Sequence, residues 1–253
     1  MIPPTAYGVP GEQSSPRFAR AWAQGCGGRI EHGDVLHPGP VALFGSPARW
    51  PLLNQAIAEG RDWYYADHGY FRRFEYYRVT RNAYQLDRMP ISGEGGDDRR
   101  LRACGVEIRP WRRRGEHILV CPPDEAFAAL HGFNAGAWMQ HIREALRNLT
   151  ERPVRVRERA CADVTLADDL VGAWCLVTYV SNAAVEAVCT GIPVIATGRC
   201  SAAAMGTYDL TAVEDPPRPR GRRRWAAWLA SNQWTMQEIV AGEAWRAIGL
   251  SEE

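Results

Sequence analysis

The stretch "VTYVSNAAVEAVCTGIPVIATG", residues 177 to 198, constrains the fold more than any other part of this chain. An apolar run meets Ser181 and Asn182, a stretch with helical spacing carries Glu186, and Gly191-Ile192-Pro193 leads into a second apolar run. Two buried-type strands joined by a helix favour a parallel sheet. In such a sheet a polar turn at the end of a strand lies where ligands bind.

The same alternation extends to both sides. Towards the amino terminus of this stretch, "EHILVCPP" (116–123) reads as a strand, "NAGAWMQHIREALRNLT" (134–150) as a helix capped by Asn134, "RPVRVRER" (152–159) as a strand and "LADDLVGAW" (166–174) as a helix. Four strands separated by helices predict a doubly wound half. An earlier β-α-β pattern comprises strand "GPVALFGSP" (39–47), helix "WPLLNQAIAEG" (50–60) and strand "DWYYADHGY" (62–70). Residues 17–25 read as a short helix, and "FEYYRVTRNAYQ" (74–85), aromatic and β-branched, as a hairpin or strand pair. The Gly- and charge-rich segment 89–100 reads as a mobile loop. The expected organisation is an α/β chain of two abbreviated Rossmann-like halves, residues 1–115 and 116–224, with a helical tail, 225–253, packing back on the first half. The tail's Trp225, Trp228 and Trp234 are expected in core or interdomain packing.

Residue usage removes several kinds of chemistry. All 30 basic residues are arginine, which excludes Schiff-base lysine chemistry and a P-loop lysine. Any anion is held by arginine forks, backbone amides or helix ends. There is no GxSxG elbow, no GxGxxG after a strand, no HExxH and no Asp-x-Asp; Asp97-Asp98 and Asp168-Asp169 are adjacent pairs without that spacing. No metal and no cofactor are therefore expected. Seven scattered cysteines with no CxxC pair predict buried free thiols in a reducing compartment. With neither a signal peptide nor an apolar run of membrane-spanning length, the expected location is the cytoplasm.

Strand, Ser-Asn turn, helix with an acid, then Gly-Ile-Pro-Val-Ile resembles the carboxy-terminal half of GT-B-type glycosyltransferases, over roughly residues 116–200. The resemblance implies a GT-B-like fold and a nucleotide-sugar donor as co-substrate. It places Ser181 and Asn182 against the donor diphosphate and Glu186 on the ribose. Orphan amides at a helix start attract phosphate, and a carboxylate one turn in can accept ribose hydroxyls. The chain departs from the family in its short amino-terminal half, where only Phe44-Gly45-Ser46-Pro47 stands for the usual Gly-rich loop. The "YYADHGYF…YYRVTRNAYQ" block resembles phage-encoded proteins of this general kind.

Further candidates follow from position. Asp67-His68-Gly69 closes a strand, so either Asp67 or His68 is a candidate general base for an acceptor hydroxyl. Arg78, Arg81 and Asn82 are candidate acceptor-binding residues; strand alternation puts Arg78 and Asn82 on one face and Arg81 on the other. Arg155, Arg157 and Arg159 share a strand face, and Arg157 or Arg159 is a candidate partner for the diphosphate. Three arginine clusters, Arg99-Arg100-Arg102, Arg112-Arg113-Arg114 and Arg218-Arg220-Arg222-Arg223-Arg224, point to DNA as a partner. The acceptor would then be a hydroxymethylated pyrimidine, flipped from the duplex. A cell-surface glycan acceptor, or a non-catalytic nucleic-acid-binding α/β protein, are the alternatives.

Overall fold

A computed structural model describes residues 2–89, 98–157 and 164–250. The chain forms two compact units, one of residues 1–84 with 229–253 and the other of residues 85–228. The expected boundary at 115 therefore lies inside the second unit, and the expected boundary at 224 lies just before the chain returns to the first.

The first unit opens with β1 (Thr5–Tyr7), α1 (Ser14–Cys26), β2 (Arg29–Glu31), β3 (Val41–Phe44), α2 (Trp50–Ala58), β4 (Trp63–His68) and β5 (Tyr76–Arg81). Strands β2, β1, β3 and β4 are parallel neighbours in that order, and β5 returns antiparallel to β4. The 74–85 segment, expected as a hairpin or strand pair, supplies the single strand β5, whose hairpin partner is β4. Side chains alternate cleanly along these strands. Ala6, Ala42, Phe44, Tyr64 and Ala66 face α1 with its buried Phe18 and Trp22, while Tyr7, Val41, Leu43, Trp63 and Tyr65 face α2 with its Leu52 and Leu53. Both faces are covered, which is why the strands read as apolar runs.

The second unit contains α3 (Asp98–Ala103), β6 (His117–Cys121), α4 (Glu125–Leu130), α5 (Ala135–Leu149), β7 (Val154–Val156), α6 (Leu166–Asp169), β8 (Ala173–Thr178), α7 (Ala183–Cys189), β9 (Val194–Ala196) and the first seven residues of α8 (Arg222–Ser231). Its four strands are all parallel, in the order β7-β6-β8-β9. Helix α5 begins where Asn134 accepts the Ala137 amide at 2.8 Å, and it buries Ile142 and Leu146 against Ile118, Val120, Cys175 and Val177. Helix α7 packs on β8 and β9. Gly191, at φ 86, permits the turn into β9; an added Cβ there would lie 2.0 Å from the Pro110 carbonyl oxygen.

Several elements differ from expectation. The helix expected over 166–174 stops at Asp169 because Gly172, at φ 71, turns the chain directly into β8. The strand expected over 152–159 is the three residues of β7, and Arg159 and the rest of 158–163 lie outside the described residues. Of the loop expected at 89–100, residues 98–100 begin α3, and 90–97, including Asp97, lie outside the described residues. The six described cysteines are buried free thiols; burial pushes those of Cys121, Cys175 and Cys189 up to about 12.

The tail completes the first unit. Strand β10 (Trp234–Thr235) pairs antiparallel with β5, and α9 (Met236–Val240) and α10 (Glu243–Leu250) pack on α1. Trp234 is buried in this unit, whereas Trp225 is buried in the second unit, its indole N–H donating to the Ser201 carbonyl at 2.9 Å.

Candidate functional site

In an open parallel sheet, ligands bind outside the carboxyl ends of the strands, at the point where strand order reverses. Each unit has one such point. In the first it lies between β1 and β3, and in the second between β6 and β8.

At the second unit's switch point, Thr178 is fully buried, and its hydroxyl donates to the Cys121 carbonyl at 2.7 Å, tying the end of β8 to the end of β6. The same oxygen accepts the Ser181 amide at 3.2 Å. Ser181 and Asn182 thus sit on a turn pinned to the sheet, as the apolar-to-polar change in sequence placed them. Gln85 supports the turn, donating to the Val180 carbonyl at 2.7 Å while accepting from Ser201. Beside it the Tyr179 ring meets Phe133 at 4.6 Å and His131 at 5.7 Å, so the segment after β6 and the turn after β8 touch through aromatic rings. Burial pushes the His131 imidazole below its usual range. Trp138 donates to the Thr197 hydroxyl at 2.9 Å on the far side.

The expectation of orphan amides at the start of α7 does not hold. Ser181 Oγ takes the Ala183 amide at 3.2 Å, and the Ser181 and Asn182 carbonyls take those of Ala184 and Val185 at 3.1 and 3.0 Å. The polar side chains here are the Ser181 hydroxyl, the Asn182 amide and, one turn on, the exposed carboxylate of Glu186. Arg157 lies beyond β7 with its guanidinium bound to Asp169 and to the Val164 carbonyl. Its charge is already matched by that carboxylate, which weakens it as a partner for a diphosphate.

The first unit closes its switch point differently. Arg49, only 3% exposed, donates to the carbonyls of Gly8 at 2.6 Å, His32 at 2.7 Å and Gly33 at 3.2 Å, and pairs with Asp34. The loops after β1, β2 and β3 are thereby clasped by one guanidinium. Ser46 adds a 2.6 Å bond to Glu12.

Titratable groups gather one strand further on, at the carboxyl end of β4. Asp67 accepts the His68 amide at 2.7 Å through one carboxylate oxygen and Arg78 at 2.6 Å through the other. Arg78 is itself 5% exposed, donates to the His68 carbonyl at 2.9 Å and lies 5.3 Å over the Tyr70 ring. Asp67 is thus engaged on both oxygens. His68 is not. Its imidazole sits among Phe74 (4.5 Å), Phe44 (5.4 Å) and Tyr77 (5.8 Å), and its Nδ1 has no hydrogen-bond partner. Burial pushes its pKa below the usual histidine range; Arg73 and Arg78 push the same way against the opposing pull of Asp67. A neutral imidazole can accept a proton, and the Nδ1 of this one is buried within the fold. Of the two candidates, the geometry favours His68.

The three expected acceptor residues do not come together. Arg78 is at the carboxyl end of β4, opposite Asp67, whereas Arg81 pairs opposite Tyr64 near the other end of that strand. Arg81 and Asn82 both bind Asp62, at 2.6 and 2.8 Å, and hold its carboxyl below the usual range. Asn82 Oδ1 also accepts the Trp63 amide at 2.9 Å. Asn82 has left the strand at φ 51, so alternation no longer assigns its face. These two residues lock the entry to β4.

Missing from the sequence reading were Arg49, Thr178, Gln85 and the Tyr179–Phe133–His131 cluster. The one local signal was "LHGFN", an aromatic turn directly before the Asn134 cap. Among the described residues no three His, Cys, Asp or Glu side chains gather into a metal-holding group, and no helix is long and apolar enough to cross a membrane.

No protein-family model and no curated protein matches this chain. Solved structures do. A Thermosulfurimonas dismutans KpsC described as a beta Kdo 2,4 transferase matches with a TM-score of 0.53 at 13% identity, over 95% of this chain and 98% of that one. The KpsC beta Kdo 2,7 transferase from the same organism matches with a TM-score of 0.53 at 12% identity, over 96% and 99%. The fold is GT-B-like. Its two Rossmann-like halves are the two units, each with a parallel core of the same strand order.

Proposed function

We propose that this chain is a glycosyltransferase that moves a sugar from a nucleotide-sugar donor to a hydroxyl of a glycan. The observation that carries the reading is the pinned Thr178–Ser181–Asn182 turn at the second sheet's switch point, in a fold shared along its length with sugar transferases. The donor nucleotide is taken by the second unit, with Glu186 accepting ribose hydroxyls and the Tyr179 cluster flanking the nucleotide. His68 accepts the proton of the acceptor hydroxyl. The acceptor oxygen forms its bond to the anomeric carbon, the bond from that carbon to the phosphate oxygen breaks, and the nucleotide leaves with the electron pair. No residue of this scheme requires a metal.

A glycan acceptor is preferred to DNA because three arginines of these runs, Arg112, Arg218 and Arg222, are engaged within the fold. Arg112 donates to the Leu170 carbonyl, Arg218 to those of Arg112 and Pro216, and Arg222 to that of Val188. Arg222 also stacks 3.9 Å over Trp111, and Arg218 lies 4.8 Å over Trp174. Guanidinium groups so engaged join the 105–115 and 216–224 segments rather than standing free for phosphates.

The test is a thermal-shift screen of nucleoside mono- and diphosphates and their sugars against the parent chain and Glu186→Ala. A ligand at 100 times its Kd raises stability by about 2.7 kcal/mol, so a binder is visible as a higher melting temperature. The expected result is one nucleotide that stabilises the parent and stabilises Glu186→Ala less, the unliganded melting temperatures being equal. If no nucleotide or nucleotide sugar shifts the parent, the transferase reading fails. Transfer to hydroxymethylated DNA but to no glycan would restore the DNA acceptor.

A further inference from the structure

A phosphate held by the second unit needs a positive charge that the turn after β8 does not supply. The amides at the start of α7 are bonded within the turn, and the chain has no lysine. Arg157 is 22% exposed, with one guanidinium nitrogen shared between Asp169 and the Val164 carbonyl. A better placed charge stands on the opposite edge of the sheet, just past β9. There the Thr197 amide donates to the Thr178 carbonyl at 2.8 Å and the Gly198 amide to the Tyr179 carbonyl at 3.1 Å, so the chain continues alongside the turn. Gln85 ties the two segments again, donating to the Val180 carbonyl and accepting from the Ser201 hydroxyl. Arg199 lies between these ties.

Its guanidinium is 72% exposed and yet held. Nε and Nη2 donate to the two oxygens of Asp87, at 2.5 and 3.2 Å, and the Asp87 side chain is itself only 9% exposed. A two-point bond between planar groups fixes the direction of a guanidinium as well as its place. It also uses only one edge of the fork. Nη1 meets no acceptor among the described residues. A surface arginine ordinarily gives up rotamer freedom when it binds an anion; here Asp87 has already removed that freedom. A second arginine adds charge. Partial burial and the Asp87 carboxylate raise the pKa of Tyr208, while Arg199 and the exposed Arg88 pull it down. Two guanidinium groups and one carboxylate therefore share this corner of the unit, leaving it net positive.

We propose that Arg199 binds a phosphate of the donor and that Asp87 is the positioning residue that aims it. The outward Nη1 edge donates to phosphate oxygens. As the acceptor oxygen displaces the phosphate oxygen from the anomeric carbon, the departing oxygen keeps the electron pair, and its charge meets a guanidinium already in place. This rests on the transferase reading for the identity of the phosphate, but anion binding is measurable without turnover.

The experiment titrates the full chain with inorganic pyrophosphate, without metal, by calorimetry and by amide NMR. Melting temperature is recorded for each variant. The parent is expected to bind pyrophosphate saturably, with shifts at the Ser181, Gly198 and Arg199 amides. Arg199→Gln should weaken binding about ten- to hundredfold, the worth of one hydrogen-bonded contact to a charged group. That variant leaves the buried Asp87 without its cation, so Asp87→Asn/Arg199→Gln is measured beside it. The double variant keeps the parent's net charge and should bind as weakly as Arg199→Gln while melting closer to the parent. Asp87→Asn alone separates aim from charge. It makes the protein more positive, which by itself would tighten binding, whereas loss of the two-point bond should weaken it severalfold and release the Arg199 Nε–H signal to faster exchange. Pyrophosphate binding by the double variant equal to the parent's, or no saturable binding by the parent, overturns the proposal. Tighter binding by Asp87→Asn overturns the role of Asp87. Nucleotide stabilisation, measured in parallel, keeps these outcomes apart from the fate of the transferase reading. Equal stabilisation of the parent and the double variant removes this site and leaves the transferase, and Arg199-dependent pyrophosphate binding with no nucleotide shift removes the transferase alone.

Discussion

The two units share one plan and finish it in different ways. Both build four parallel strands in which the first is flanked by the second and third, with the fourth beyond: β2-β1-β3-β4 in one and β7-β6-β8-β9 in the other. The first unit then adds antiparallel β5 and β10, which carry the hairpin and recruit the tail, while β9 ends the second sheet. At the switch points the contrast is sharper. The second unit leaves its polar turn accessible and pins it from beneath with the Thr178 hydroxyl. The first unit fills its equivalent place with Arg49, whose guanidinium takes carbonyls from Gly8, His32 and Gly33. With that place clasped, the His68 imidazole stands one strand over, at the end of β4. Strand order marks where a site can be built; the side chains filling the switch point decide whether it is there or beside it.

The most sensitive point of this contrast is His68. Replacing it with Gln should lower turnover by about 10²–10⁴, the usual worth of a general base. Donor binding should be unchanged, because the residues proposed for the donor belong to the other unit. Asp67→Asn should lower turnover less than His68→Gln does, since both Asp67 oxygens are already engaged. The pH profile gives the sign. Only the neutral imidazole accepts a proton, so kcat/KM should fall as pH drops through the pKa of His68. Burial, Arg73 and Arg78 outweigh Asp67 and hold that pKa below the ordinary value of about 6.5, so the acid limb should lie below it. Arg73→Gln should move the limb upward. A limb that stays put in His68→Gln would remove the base from β4 and leave the two units without this functional difference.

The next effect tests the clasp. Arg49→Met keeps the apolar stem and strands three carbonyls, at about 1 kcal/mol each, so the loss should be about 3 kcal/mol. At roughly 2–4 °C per kcal/mol, thermal unfolding should begin roughly 6–12 °C lower. Arg49→Lys should recover little, because an ammonium lacks the planar fork that reaches acceptors in two loops at once. If Arg49→Met melts with the parent, the first switch point is not held by this residue, and its closure needs another explanation.

What the sequence made legible follows from range. The β8–α7–β9 unit could be read because each of its signals is local: an apolar run, a polar turn, helical spacing and Gly191 before Pro193. The Asn134 cap could be read because it bonds an amide three residues on. Strands β1, β2 and β10 could not, since two or three residues carry no period and owe their conformation to distant partners. Arg49 looked like any surface arginine because its carbonyl acceptors lie 16 to 41 positions away. Arg81 and Asn82 were grouped with Arg78 by nearness in sequence, yet an antiparallel strand carries successive residues away from the end where Arg78 sits. The polar turn after β8 was legible, but not the pairing of its amides, which depends on where Ser181 Oγ points.

The smallest effect isolates the second unit's half of the contrast. Thr178→Val preserves shape and burial while removing one hydroxyl, so the Cys121 carbonyl loses its donor and the Ser181 amide its acceptor. One buried hydroxyl network of this size is worth about 1–2 kcal/mol, less than the clasp of three carbonyls in the first unit. Because the hydroxyl sits beneath the turn, its loss should loosen Ser181 and Asn182 and weaken nucleotide binding a few-fold, an amount beyond what the lower melting temperature explains. Thr178→Ser retains the hydroxyl and should restore binding. The acid limb set by His68 should not move in either variant, since that imidazole belongs to the other sheet. If Thr178→Val costs as much stability as Arg49→Met, the two switch points are held equally firmly, and the open-against-clasped distinction fails. If instead it lowers stability and leaves nucleotide affinity untouched, the Ser181–Asn182 turn is a strand ending, and the donor must be sought around Tyr179 and Phe133.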